Sequence, residues 1–274
     1  MKVVQLSNEL GSLNGILKTQ RLSNDERVVL DALIKQVTKT RDEVIRLSHF
    51  SAQLTRLNTS NSNAPFYEYN NSMLVKYCHL MIGRIDLIRE HDYFAAIVVE
   101  RSMYEIVRYL RYFFKKPSEI IEYKKDNRNP KFSMKKVIDA CLTNVVGSEG
   151  DYEHYCLLCS LNHPSSKVFL NLTASEIRER NNVILINSTI TPSFDKDGLL
   201  TNLVSLLRDN MTLLDIEYQI LKVCPTFQRD DKLLDETYKM HANYSKKVFW
   251  GQEGVKLQYA MEKKKRIKEL SRSS

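Results

Sequence analysis

Glycine and proline are scarce in this chain, at 8 and 6 of 274 residues. So few chain breakers exclude collagen-like and long low-complexity segments and leave room for long helices. No run of about 18 apolar residues occurs, which excludes a transmembrane helix. The opening MKVVQLSNELGSLNG lacks the apolar stretch of a secretory signal. Five cysteines, an odd number at irregular spacing, define no disulfide framework. The expected protein is therefore cytoplasmic, with no membrane partner.

Basic residues are in excess. Lys and Arg number 41 against 33 Asp and Glu, a formal charge of +8. Two segments concentrate it, KKPSEIIEYKKDNRNPKFSMKK at Lys115 to Lys136 and the tail EKKKRIKELSRSS. Such patches favour encounter with anionic partners such as RNA or DNA. The competing reading is a solubilising surface and tail.

Helical patterning dominates the chain, with apolar residues three and four apart over long stretches. Ser23 to Glu26 matches a capping box and predicts a helix running into SAQLTRL. The polar stretch NTSNSNAP predicts a break. Helices are expected over about Glu68 to Arg89 and Asp92 to Phe114, then a basic connection and a short helix through MKKVIDACLTNV. Another is expected from Tyr152, ended at His163 by Pro164. A second capping box, Thr173 to Glu176, predicts a helix through SEIRERNNVILINS, with VILI as a possible strand lacking an evident partner. A long helix should start at Asp195 or Asp197 and stop at Pro225. Two more are expected over Asp230 to Trp250 and Val255 to Leu270. The predicted fold is an all-α antiparallel helical bundle. Its expected parts are an N-terminal helical arm (1–64), a central bundle (65–224) and C-terminal helices with a basic tail (225–274).

Two apolar helices carry polar clusters that need either partners or a cavity, because unpaired buried charge costs several kcal/mol. In ERSMYEIVRYLRYFF, a helical wheel places Phe94, Val98, Arg101, Glu105, Arg108 and Tyr112 on one side. Val99, Met103, Ile106, Leu110 and Phe114 lie opposite. Arg101–Glu105 and Glu105–Arg108 have ion-pair spacing. Either they form an internal ladder, or an arginine fork grips a phosphate in a cleft. In DYEHYCLLCSLNHPSS, Tyr152, Tyr155, Cys156, Cys159 and His163 share a face. His163 stands at the helix C-terminus, which favours its protonated form. It can serve as acid/base or phosphate contact, or simply as a cap. Asn162 can add an amide donor. His154 reads as structural, with substrate binding as the alternative. Cys156, Cys159 and His163 have zinc-like spacing but lack a fourth ligand, so no metal or cofactor is expected.

The two clusters resemble a bacterial helical family, the domain of unknown function 5677 family. The matching residues are Arg101, Glu105 and Arg108 in RSMYEIVR, and Tyr155, Leu158 and His163 in YCLLCSLNHPS. The likeness spans about Asn71 to Leu221. The family is similar to HEPN domains, helical bundles that often dimerise and include metal-independent ribonucleases of toxin and antiviral defence systems. The resemblance implies an RNA-directed effector, and the two-faced helix together with the Met- and Tyr-rich segment NNSMLVKYCHLMIG offers more apolar face than a lone bundle needs, which predicts a homodimer. His163, Arg101, Arg108 and Glu105 would be catalytic, and Tyr155, Asn162 and His154 would bind substrate. The chain departs from the arginine-to-histidine motif of active HEPN ribonucleases: Arg180 and Asn181 resemble its start, but no histidine follows before His241. A non-catalytic module binding a partner protein or nucleic acid is the alternative.

Overall fold

The computed structural model describes residues 12–18, 20–58, 62–141, 148–161, 176–180, 183–187 and 194–224. The fold is all-α. Helix α1 spans Asn24–Leu57, α2 Ala64–Arg89, α3 Tyr93–Lys115, α4 Ile120–Lys125, α5 Met134–Cys141, α6 Ser148–Leu161 and α7 Lys196–Val223. Short 3-10 turns at Pro117–Glu119 and Pro130–Phe132 punctuate the basic connection.

Local chemistry sets the helix starts. Ser23 caps α1 by accepting from the Glu26 amide while the Glu26 carboxylate accepts from the Ser23 amide, the reciprocal pair of a capping box. Asp92 caps α3 through the Ala95 amide. Asp195, rather than Asp197, caps α7 by accepting from the amides of Asp197 and Gly198. His91 makes the corner between α2 and α3 with φ of 64°, a left-handed conformation that histidine tolerates better than bulkier residues.

Four long helices enclose the core in a ring of contacts: α1 on α2, α2 on α3, α3 on α7, and α7 back on α1. Helix α1, within the stretch expected as an arm, thus shares one apolar core with the central helices; Leu33, Val37 and Val44 join Leu74, Met81, Leu110 and Leu213 there. Each such side chain contributes roughly 1.5–3 kcal/mol on burial. Helices α5 and α6 pack on the remaining side of α3. The apolar face of α3 is thus covered within the chain, while Phe94, Val98, Arg101, Glu105 and Arg108 on its mixed face stay half-buried. The segment NNSMLVKYCHLMIG likewise buries Leu74, Tyr77 and Met81 and exposes Val75. No helix among the described residues is long and apolar enough to cross a membrane.

One predicted helix is replaced. SEIRERNNVILINS forms an antiparallel hairpin, Glu176–Arg180 (β1) against Val183–Asn187 (β2), with Arg180 opposite Val183 and Glu176 opposite Asn187. The β-branched run favours a strand. Its partner was hard to see because EIRER carries four charges in five residues. Arg180 therefore lies on a strand, not on the helix that an arginine-to-histidine motif requires. The predicted helices beyond Pro225, and the basic tail, lie outside the described residues.

Candidate functional site

The start of α7 is pressed against the start of α3. A Cβ on Gly198 would come within 2.9 Å of the Tyr93 ring, so only glycine permits this approach without a shift. Asn202 reinforces it by donating to the Tyr93 carbonyl at 3.2 Å. With α7 anchored there, Ser205, Arg208 and Asp209 come up beside Glu100 of α3 and Arg84 of α2.

Arg84 is completely buried. Its Nη2 donates to Glu100 Oε2 at 2.7 Å and also to the Ser205 hydroxyl, while Nη1 reaches Asp209 Oδ2 at 3.4 Å. An unpaired guanidinium at this depth would be prohibitive, so two carboxylates from two helices are its requirement. Glu100 then extends the network outward. Its second oxygen, Oε1, accepts from Arg208 Nη2 at 2.8 Å and lies 3.2 Å from His154 Nε2 on α6. Arg208 Nη2 is also 3.0 Å from that imidazole nitrogen and 3.3 Å from Asp209 Oδ1. Burial pushes the Glu100 carboxyl up, but the His154 hydrogen bond, the Arg84 and Arg208 charges and Ser205 outweigh it and hold it down at about 2. Asp209 is raised, because its desolvation outweighs its arginines.

A second, shallower layer adjoins the first. Arg101 Nε donates to Glu105 Oε1 at 3.1 Å, and the Tyr155 hydroxyl donates to the same oxygen at 3.2 Å. The Tyr155 ring stacks on Tyr104 with centroids 6.1 Å apart. The Arg108 guanidinium lies 4.4 Å over the other aromatic, Tyr104, whose ring also meets His154 at 5.5 Å. Burial, the Cys159 hydrogen bond and the Glu105 charge push the Tyr155 phenol upward, so it stays a neutral donor.

The arrangement has definite chemical capacities. Arg208 and Arg101 are partly exposed, at 48% and 38% of their side-chain surface, so their forks can reach an anion from solvent. His154 Nε2, facing both an acceptor and a donor, can hold a proton against Glu100 or accept one hydrogen bond from Arg208. Among the described residues no three His, Cys, Asp or Glu side chains converge in a way that would hold a metal ion.

Five residues picked from sequence, Arg101, Glu105, Arg108, His154 and Tyr155, are thereby brought together across α3 and α6. His163 and Asn162 lie outside the described residues. The anchoring groups Arg84, Arg208, Asp209, Asn202 and Ser205 were missed. So was the central place of Glu100, which belongs to the first cluster but sits deeper than the residues chosen from it. The available signals were an arginine inside the apolar run LMIGRIDLI and a charged pair inside LLRDNM. Compared with known proteins, the chain matches no family model, no curated protein sequence and no solved structure.

Proposed function

We propose that this protein is an RNA-directed effector, a metal-independent ribonuclease of a defence or toxin system built on an HEPN-like antiparallel bundle. The observation that carries the reading is the convergence of Arg208 and His154 on the buried Glu100 carboxylate. RNA cleavage without a metal needs a base for the 2′-hydroxyl, an acid for the leaving oxygen and a cation for the developing phosphate charge. Arg208, with Arg101 and Arg108, supplies the cations. His154 takes one proton-transfer role and His163 the other, while Glu100 and Glu105 orient the arginines. Tyr155 and Asn162 position the substrate. The contact of Tyr155 with Glu105 supports treating the two resemblance motifs as parts of one site. The net charge of +8 suits a polyanionic substrate.

A second reading has its own support. The exposed arginines already have internal carboxylate partners, Arg208 with Glu100 and Arg101 with Glu105. That pattern suits a non-catalytic module that binds nucleic acid or a partner protein through its surface. The test incubates mixed RNA substrates in EDTA with wild type and with the His154→Ala, His163→Ala, Arg101→Ala and Arg208→Ala variants, each checked by circular dichroism. Cleavage by wild type that is lost in the folded His154 and Arg208 variants is the expected result. RNA binding with a steep salt dependence and no cleavage would favour the module. The proposed homodimer should appear as a doubled mass in light scattering of the same preparation, and a monomer mass would remove it.

A further inference from the structure

Cationic and aromatic side chains alternate from α5 across α6 to α3. Three lysines of the basic segment spend their charge on carboxylates: Lys116 on Glu119, Lys124 on Glu68, and Lys131 on Glu119 and Glu122. Lys135, on the first turn of α5, does not. It is exposed and has no carboxylate partner among the described residues, and its Nζ lies 5.9 Å over the Tyr152 ring of α6. The series continues from there in steps of similar size. The Tyr152 and Tyr155 rings, three positions apart on one face of α6, have centroids 6.2 Å apart. The Arg101 guanidinium lies 5.9 Å over the Tyr155 ring. The order is cation, ring, ring, cation, and it ends at the shallower layer of the candidate site. Both rings are half-buried, so each keeps part of its surface in solvent. Arg101 is 38% exposed and meets Glu105 through Nε, so its terminal nitrogens face no carboxylate among the described residues.

We propose that the row Lys135, Tyr152, Tyr155 and Arg101 is a binding track for single-stranded RNA. Unpaired bases lie against the two rings, and backbone phosphates against the two cations. An aromatic ring accepts any base, because every base has a π-face, and the cations at either end take the charge of the strand. A duplex keeps its base faces inside its own stack and offers the rings nothing. The inference rests on the RNA-directed reading and sharpens it: the substrate is an unpaired strand that approaches the Glu100 network from the side of α5. Tyr155 joins track and site, since its ring neighbours Tyr152 while its hydroxyl donates to Glu105.

The test measures fluorescence anisotropy of a labelled, mixed-sequence oligoribonucleotide with full-length protein. The oligonucleotide carries 2′-O-methyl groups throughout, so it binds without supplying the hydroxyl that cleavage needs. Tyr152→Leu keeps an apolar side chain at a half-buried helix position and removes the ring, whereas Lys135→Ala alters an exposed position. Circular dichroism checks that both are folded, and Lys135→Ala decides alone if Tyr152→Leu is not. Wild type is expected to bind the single strand more tightly than the same strand annealed to its complement. Tyr152→Leu should weaken binding by about fivefold or more, and Tyr152→Phe should restore it. Lys135→Ala should reduce the slope of log affinity against log salt by about 0.7. Unchanged affinity in folded Tyr152→Leu, an unchanged slope in Lys135→Ala, or a duplex bound as tightly as the single strand each overturns the track. Cleavage of ordinary RNA is assayed in parallel. A wild type that neither binds nor cleaves removes the RNA-directed reading and the track together. A wild type that binds or cleaves RNA equally well in both variants removes the track alone.

Discussion

Glu100 and Glu217 are two carboxyl groups buried to almost the same degree, at 3% and 2% exposure, in helices that touch each other. Their chemistry is opposite. Glu100 faces Arg84, Arg208 and His154, and stays ionised far into acid. Glu217 receives one hydrogen bond, from the Asn70 amide at 3.0 Å, and its Oε1 has no partner among the described residues. Desolvation, only partly offset by Asn70, pushes it up to about 8. Burial alone therefore does not decide whether a carboxyl is charged. Between these two the cations beside the carboxyl decide it, although at Asp209 desolvation outweighs two arginines. Glu100 also leads through Arg208 and His154 toward solvent, whereas Glu217 meets Asn70 and, through it, Ser51. Only the first has the connection to the surface that a working site requires.

The sharpest way to break this contrast is to take the central cation from Glu100. Arg84→Met leaves Glu100 and Asp209 buried without it, and the expected loss is about 3–5 kcal/mol in urea unfolding. Replacing the whole set, Arg84→Met with Glu100→Gln and Asp209→Asn, should cost less than the single change, because the one charge that loses its partners, Arg208, is 48% exposed and keeps water. The sign with pH is set by a depressed carboxyl. The stabilisation is complete above the unfolded value of 4.5 and is lost as pH falls from there toward about 2. A single variant as stable as wild type at neutral pH would show that Glu100 does not depend on Arg84.

Much of this frame was legible from sequence, and the limit has a physical form. Helix starts depend on residues within a turn of one another, so Ser23 with Glu26, and Asp92 ahead of α3, could be read directly. The Arg101–Glu105 pair is equally local, at i and i+4. The deep network is not local. Arg84, Glu100 and Asp209 come from three helices, and a charged residue inside an apolar run looks the same whether it faces water or a partner 125 positions away. The hairpin failed for a related reason. The capping-box pattern before Glu176 is local, while the pairing of EIRER with VILIN depends on register between two segments. For His154 the sequence left a structural and a substrate-binding role open, because its partners, Glu100 and Arg208, stand 54 residues to either side.

A smaller effect sharpens the other side of the comparison. Glu217→Gln keeps the shape of the buried group and removes its titration. In wild type the unfolded chain releases this proton near 4.5, whereas the folded protein keeps it until about 8. The unfolded state thus binds fewer protons between those values, and stability falls as pH rises through the window, then levels off. The slope is about 1.4 kcal/mol per pH unit. The difference between wild-type and variant unfolding free energies should therefore move by roughly 2–3 kcal/mol between about pH 5 and pH 7, in favour of the variant at the higher pH. Parallel curves would mean that Glu217 ionises normally inside the core.

The smallest expected change in stability comes from Arg208→Ala. Arg208 touches the same Glu100 carboxylate as Arg84 and at a similar distance, 2.8 Å against 2.7 Å. Its side chain is 48% exposed, while that of Arg84 is at 0%. When Arg208 is removed, water can enter the vacated space, and Glu100 keeps Arg84 and His154. The expected cost is about 1 kcal/mol, after allowance for solvent screening. Its effect on RNA should be larger than its effect on folding, because this guanidinium is the one that both meets Glu100 and reaches solvent. Urea unfolding and RNA binding measured on the same preparation separate the two. A loss of stability near that of Arg84→Met, with RNA binding unchanged, would make Arg208 a second core cation and would take the surface end of the Glu100 network out of the proposed site.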